Sequence, residues 1–320
     1  MTKYKRKRKN EGGSKIIACF VVTSLVLSLF FAISSIYVSR DQAKKDDNET
    51  KPSNDMHVAS IPIINGIDKL EKSNTEQEQI NNSGSSPNYH IVFSTDCSGY
   101  QKWQSYLLFY SAFKVDQPGT VTRIASGCSE EEEAAERNFQ DAISKHMSTN
   151  FKLHLTPHFS KVKDAEGKAT TKKYLYFNKP FGLLHWIEHS EEKIMDDDII
   201  ILLDPDQVLT RPITDDFSDT SKNLLVGKNP KIRVTHNSPF AQKYGFRAAW
   251  QNLDIDKVTG TKDSPAKNVS RKDAAEYYPA GPPYLATAKD MHLLARTWAD
   301  FVPRAHKNHP HLMAEMYAFW

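Results

Sequence analysis

Two aspartates, Asp204 and Asp206, close an unbroken aliphatic run in the segment Asp198 to Ile213, DIIILLDPDQVLTRPI. Alternate residues of an extended chain point the same way, so both carboxylates can converge on one cation. Hard divalent cations take oxygen ligands and bridge protein carboxylates to substrate phosphates. There they neutralise charge developing on a leaving group. An Asp-x-Asp triplet alone is a weak signal, with a solvated acidic pair at a strand end as the plain alternative. Its place directly after Ile199 to Leu203 and before Val208-Leu209 favours the cation. Asp196 and Asp197, ahead of the run, read as solvated turn residues.

Other chemistry-bearing residues weigh less. His185 and His189 stand four apart on a helical pattern, a spacing that can bind metal. No Glu directly follows His185, and Trp186 sits beside it, so packed or surface histidines are the expectation. His306, His309 and His311 surround Pro310 and read as a solvated loop. Trp103, Trp186 and Trp298 read first as core residues. The acidic run Glu130 to Glu133 follows Ser129 and reads as the first turn of a capped helix rather than a metal site.

The elements that position Asp204 and Asp206 follow from the patterning. His90 to Thr95 is a short apolar run that enters a loop, as a buried strand does. Tyr100 to Lys114 carries Trp103, Leu107, Tyr110 and Phe113 at helical spacing. Val121 to Ser126 reads as a second strand, the Ala-rich segment after Glu133 as a helix body, and Phe151, Leu153 and Leu155 as an alternating strand. Asn178-Lys179-Pro180 opens a helix with Pro in the first turn, where it is tolerated. Ile199 to Leu203, apolar at every position, suits a central strand covered on both faces. Strand and helix alternate, which predicts an α/β sandwich, and open α/β sheets bind ligands at the carboxyl ends of their strands.

Ahead of this domain the composition changes twice. Seven of the first fifteen residues are basic, and Ile16 to Val38 is apolar with neither charge nor Pro. That length spans a bilayer as a helix and exceeds the apolar core of a cleaved signal peptide. The basic flank places residues 1–15 in the cytosol and the remainder in a lumen, a type II anchor. This context speaks against reading the basic cluster as a nucleic-acid or nuclear-import patch. Residues 39–87 are polar and read as a disordered stem; residues 88–320 form the lumenal domain. The basic loop Lys161 to Lys173 reads as solvated surface. With 25% charged residues and a net charge of +3, overall balance selects no partner. Asn48, Asn81 and Asn268 head glycosylation sequons, meaningful in a lumen. Cys97 and Cys128 are the two cysteines outside the span; an oxidising lumen permits them to pair, the alternative being two buried thiols.

At five blocks in order the sequence resembles plant and algal peptidyl glycosyltransferases, the hydroxyproline O-arabinosyltransferases and the peptidyl serine α-galactosyltransferases. The first block is Phe93-Ser94-Thr95-Asp96-Cys97 with Tyr100 to Gln104. The second is Thr122-Arg123-Ile124 with Cys128, and the third Asn178-Lys179-Pro180 with His185-Trp186. The fourth is the Asp-Pro-Asp block through Arg211-Pro212-Ile213. The fifth is Gly281-Pro282-Pro283 with Trp298 and Glu315-Met316-Tyr317-Ala318. The resemblance implies a GT-A-type fold, a UDP-sugar donor, a divalent cation (Mn2+) and a secretory-pathway glycoprotein acceptor, in the Golgi or endoplasmic reticulum membrane. It implies that Ser94 and Thr95 hold the nucleoside and that Lys179 lies near the diphosphate. Asp206 would ligate the metal directly, and Asp204 would reach ribose, or metal through water. Gly281 to Tyr284 would line the sugar and acceptor pocket, and Glu315 would face the reacting carbon. The blocks divide between the two kinds: Asn178-Lys179-Pro180 looks like the serine enzymes, and Pro205 and the Glu315 block like the arabinosyltransferases. Family members continue past the Glu-Met-Tyr block, where GT-A enzymes commonly take a further metal-binding His, so the expectation is a domain cut short at its C-terminus.

Two readings compete with a metal-dependent glycosyltransferase. A catalytically inactive membrane-anchored carbohydrate or glycoprotein binder on the same fold is disfavoured by the intact Asp-Pro-Asp. A phosphotransfer enzyme with Asp204 as nucleophile is disfavoured by Gln207-Val208, where a short Gly-Thr pair would be expected. Neither nucleic-acid binding nor a defined oligomer is implied.

Overall fold

The computed structural model describes residues 87–161, 173–220, 225–227 and 231–320. The basic tail, the span Ile16 to Val38, the stem with Asn48 and Asn81, and most of the basic loop lie outside these. No helix among the described residues is long and apolar enough to cross a membrane.

Six strands form one mixed sheet: β1 (Tyr89–Thr95), β2 (Thr120–Ser126), β3 (Phe151–Thr156), β4 (Ile199–Leu203), β5 (Phe240–Lys243) and β6 (Ala280–Thr287). Their order is β3-β2-β1-β4-β6-β5. The first four run parallel, and β6 pairs antiparallel with both β4 and β5. The chain winds outward from β1 through β2 to β3, then returns to lay β4 on the other side of β1. The carboxyl ends of β1 and β4 therefore flank a topological switch point, where such sheets open a ligand crevice.

The aliphatic strands divide their side chains between two cores. Ile199, Ile201 and Leu203 of β4 join Ile91 and Phe93 against Leu108, Phe109 and Ala112 of α1 (Gly99–Lys114) and Ile143 of α2 (Glu130–His146). Ile200 and Leu202 face the opposite way. They pack with Val92 against Leu183 and Trp186 of α3 (Asn178–His189) and Met291 and Trp298 of α6 (Ala288–Asn308). Two covered faces account for a strand with no polar position. Between β5 and β6 lie the short helices α4 (Ile255–Thr259) and α5 (Arg271–Tyr277), and α7 (Ala314–Phe319) follows α6. α2 begins as expected: Ser129 Oγ accepts from Glu132 N–H, and the Glu132 carboxylate accepts from Ser129 N–H, a capping box.

α1 turns an unexpected face inward. Trp103, Tyr110 and Phe113 are exposed, as are Tyr100 and Tyr106. The rings of Trp103, Tyr106 and Tyr110 stack along the surface at centroid spacings of 6.5 and 6.3 Å. Ser105, Leu108, Phe109 and Ala112 form the buried side. Trp103 is therefore not a core residue; the smaller side chains let the helix approach the sheet closely. Trp186 and Trp298 are buried as expected. His306 also departs from expectation. It lies within α6, buried, with its ring stacked 4.2 Å from that of Tyr174, because α6 extends through the stretch that reads as loop. His309 and His311 are exposed.

Candidate active site

Register places the acidic motif. Phe93 of β1 pairs with Leu203 of β4, so Ser94 and Asp204 follow side by side at the switch point. Asp204 is half-buried and Asp206 exposed. Gln207 closes their turn. Its N–H donates to Asp204 O at 3.1 Å. Its side-chain oxygen accepts from Asp204 N–H at 2.8 Å, and its amide donates to Pro282 O at 3.1 Å. One side chain thereby ties the turn to β6.

Two further elements bring charge to this turn. Lys179, in the first turn of α3, places Nζ 2.7 Å from Asp204 Oδ1 and 3.3 Å from Glu315 Oε1. Glu315, in the first turn of α7, is 3% exposed. Its backbone is pinned from two sides. Tyr174 Oη accepts from Glu315 N–H at 3.1 Å while donating to Leu312 O, and Trp298 Nε1–H donates to Glu315 O at 2.8 Å. Burial raises the Glu315 carboxyl above the usual carboxylate range; Lys179 opposes this and Asp204 adds to it. For Lys179, burial works against the ammonium, but Glu315 and then Asp204 outweigh it and the net shift is upward. One cation thus serves two carboxylates in a water-poor setting, where a lone charge would be costly.

The opposite wall is aromatic. A Cβ on Gly281 would fall 2.3 Å from the ring of Tyr244, so glycine is what lets that ring lie on the β6 backbone. The Tyr284 hydroxyl, deeply buried, is pushed well up by burial and then by Glu315. Tyr176, half-exposed, is raised by burial and, less, by Glu315.

The end of β1 is built from the second sequence block. Arg123 is fully buried. Its Nε–H donates to Thr95 Oγ1 at 2.9 Å, Nη2–H donates to Asp96 O at 3.0 Å, and Nη1 pairs with Glu136 of α2. Lys102 also reaches Glu136, at 3.0 Å. Thr95 Oγ1 in turn donates to Ile124 O, so this hydroxyl is occupied within the protein. The buried Ser94 Oγ lies near Gly182 of α3. A Cys97–Cys128 disulfide, Cα to Cα 5.4 Å, joins the loops after β1 and β2.

Ser94, Asp204, Lys179, Glu315 and Gly281 thus converge from five strands and helices, with Asp206 at the open side. Asn268 is exposed, at the end of a short 3-10 turn. His185 and His189 lie apart from this cluster, further along α3, where His154 of β3 meets His185 at 2.9 Å. Burial, then His185 and His189, push His154 down to about 4. Among the described residues, no group of three or more His, Cys, Asp or Glu is placed to hold a metal ion unaided. Asp204 and Asp206 offer a different kind of set: two hard oxygen donors at a strand end, suited to Mg2+ or Mn2+, which complete their shells with water and substrate phosphates.

Gln207, Arg123, Tyr174 and Tyr244 were missed as site residues. Arg123 carried a signal, since a charge inside an apolar strand needs a buried partner. Tyr174 and Tyr244 carried none, being distant in sequence from what they touch.

An open α/β sheet here brings a strand-end carboxylate pair, a buried Lys–Glu pair and a glycine-backed aromatic wall to one crevice. A family model described as hydroxyproline O-arabinosyltransferase family N-terminal domain matches residues 89–319, and the chain belongs to this family. The chain is 28% identical over 165 residues to a peptidyl serine alpha-galactosyltransferase of Arabidopsis thaliana, covering 51% of this chain and 17% of that protein. It is 31% identical over 138 residues to a peptidyl serine alpha-galactosyltransferase of Chlamydomonas reinhardtii, covering 43% and 16%. The match therefore spans about a sixth of the length of these curated relatives. Among solved structures, the galactosyltransferase LgtC in complex with donor and acceptor sugar analogs is 14% identical. It covers 72% of this chain and 69% of its own, with a TM-score of 0.40.

Proposed function

We propose that this chain is a glycosyltransferase that moves a sugar from a UDP-sugar to a hydroxyl of hydroxyproline or serine in a secretory-pathway glycoprotein. The observation that carries the reading is the meeting of Asp204 with Lys179 and Glu315 at the switch point, Asp206 standing open beside them. Family membership and the peptide-directed names of the relatives support it.

Asp206 and Asp204 would hold a divalent cation, Mn2+, which when bound neutralises charge on the departing UDP. Lys179 supplies fixed positive charge on the other side of the diphosphate, already oriented by Asp204 and Glu315, and so needs little reorganisation as charge develops. Glu315, rigidly held through Tyr174 and Trp298, presents a carboxyl toward the reacting carbon and the incoming hydroxyl. Ser94 and the backbone at Thr95 border the nucleoside end of the crevice. Gly281, with the Tyr244 ring against it, borders the crevice on the β6 side. Tethering by Ile16 to Val38 in a Golgi or endoplasmic reticulum membrane, with Asn268 glycosylated, fits this substrate class.

The test is transfer by the purified protein from a UDP-sugar panel to Hyp- or Ser-containing peptides with Mn2+. Transfer that vanishes in Asp206→Ala supports the reading; no transfer from any donor to either peptide overturns it. In intact microsomes, digestion of the C-terminal domain without detergent would refute the lumenal placement.

A further inference from the structure

The proposed donor site leaves the diphosphate with Lys179 on one side and no assigned contact on the side of β6. On that side the aromatic ring lying against β6 is that of Tyr244. Its ring lies flat against the backbone of Gly281, with Cε1 and Cζ both 2.3 Å from where a Cβ would stand. Its backbone N–H donates to Pro279 O at 2.7 Å. The next aromatic outward, Phe246, leans on it with centroids 6.1 Å apart, and Trp320 leans on Phe246 at 5.6 Å. The Trp320 indole N–H donates to Ala280 O, so the aromatic stack is anchored back onto β6. These contacts fix the ring, and with it the direction of the hydroxyl.

That hydroxyl lies within electrostatic reach of Asp204, Lys179, Asp206 and Glu315 together. Its hydrogen bond is long, 3.4 Å to Pro282 O, and that carbonyl already accepts from Gln207 at 3.1 Å. Were a cation held at Asp204 and Asp206, the phosphate oxygens of a bound nucleotide would offer this phenol a charged acceptor that the Pro282 carbonyl is not. Hydrogen bonds to charged oxygens are about twice as strong as neutral ones, so exchanging a long bond to a shared carbonyl for one to a phosphate is favourable.

We infer that Tyr244 is a donor-binding residue: its hydroxyl donates to the diphosphate of the nucleotide sugar from the β6 side, and Gly281 is glycine so that the ring can lie where this contact is made. The inference rests on the UDP-sugar reading above. It separates two features of the fifth sequence block: Gly281 acts through the tyrosine it accommodates, not by touching the sugar.

The experiment is calorimetric titration of the purified chain with UDP, UMP and uridine in the presence of Mn2+, for wild type, Tyr244→Phe and Gly281→Ala. Tyr244→Phe keeps the ring on Gly281 and removes only the hydroxyl. It should weaken UDP binding on the order of tenfold, the usual effect of losing one hydrogen bond to a charged group, and leave uridine binding unchanged. Gly281→Ala, which displaces the ring, should reproduce the loss for UDP. UDP affinity equal to wild type in Tyr244→Phe overturns the assignment while leaving the donor reading intact. Equal loss for uridine and UDP also overturns it, because the ring would then be shaping the nucleoside pocket. Failure of wild-type protein to bind UDP at all overturns the donor reading and Tyr244 with it.

Discussion

Lys179 holds its ammonium 2.7 Å from the carboxylate of Asp204. The pair joins the start of a helix to the end of the central strand, and Glu315 completes it from a third element. Lys179→Met should lower transfer at least about 100-fold, the scale of losing one preorganised electrostatic partner. Because Lys179 is the group that pulls the Glu315 carboxyl down against burial, its removal should also move the acid limb of the pH–rate profile upward. Lys179→Arg, which keeps the charge, should retain that limb near its wild-type position. Steady-state rates across pH decide it.

Asp206 is exposed and Asp204 half-buried against Lys179, so the two should separate function from stability. Asp206→Ala is expected to abolish transfer, costing at least several kcal/mol in the barrier, while leaving urea unfolding within about 0.5 kcal/mol of wild type. Asp204→Ala should damage transfer less and stability more, since it removes a partner of a nearly buried ammonium. Chelator treatment of wild type should match Asp206→Ala in rate.

Arg123 and Glu136 are both buried, but their losses should be unequal. Glu136→Ala leaves a fully buried guanidinium without its carboxylate and should cost roughly 3–5 kcal/mol. Arg123→Met should cost less, because Lys102 still reaches Glu136 at 3.0 Å. Denaturant midpoints of the two variants would order them.

His90, at the start of β1, contacts Asp198 at 3.2 Å and Glu192 at 3.4 Å. Burial pushes its pKa down, yet the hydrogen bonds of Glu192 and Asp198 outweigh this and the net shift is upward from 6.5. A raised histidine contributes stability that is complete below its unfolded value and lost as pH rises through its folded value. Glu192 and Asp198 are both lowered, Glu192 chiefly by the bond to His90, Asp198 by hydrogen bonds that overcome burial. Their contribution is present above the ordinary carboxylate range and lost as pH falls through the folded values. Stability should therefore peak in mildly acidic to neutral solution and decline toward alkaline pH. His90→Gln should flatten the alkaline decline; an unchanged melting-temperature profile would contradict this.

What the sequence made legible was whatever is written in contiguous residues. Ile199 to Leu203 has no polar position, and only a strand covered on both faces can use that. Asp204 and Asp206 follow it directly, and Ser129 with Glu132 spells a helix start. Patterns that depend on partners were harder. In α1 the aromatic spacing correctly gives a helix but not its inner face, because Leu108, Phe109 and Ala112 form a second apolar stripe. Nothing in Pro282-Pro283 announces a strand, because prolines break ladders. Here they fall past the last β4 partner, Leu202 to Tyr284, and opposite a register shift between Ala241 and Gln242, so no ladder bond is asked of them. That is why β6, and with it the wall formed by Tyr244, could not be seen from local pattern.

The same outward face of α1 gives the protein an optical property. Trp186, Trp250 and Trp298 are each at most 3% exposed, whereas Trp103 is 55% exposed. An indole in water emits at longer wavelength than one in a packed interior and is open to collisional quenchers. Iodide should therefore remove the red edge of the emission band first, with Trp103 as the principal source. Fluorescence at that edge then reports mainly on the surface of α1, where Trp103 stacks with Tyr106, with part-exposed Trp320 as a lesser source, while the blue edge reports on the three buried indoles.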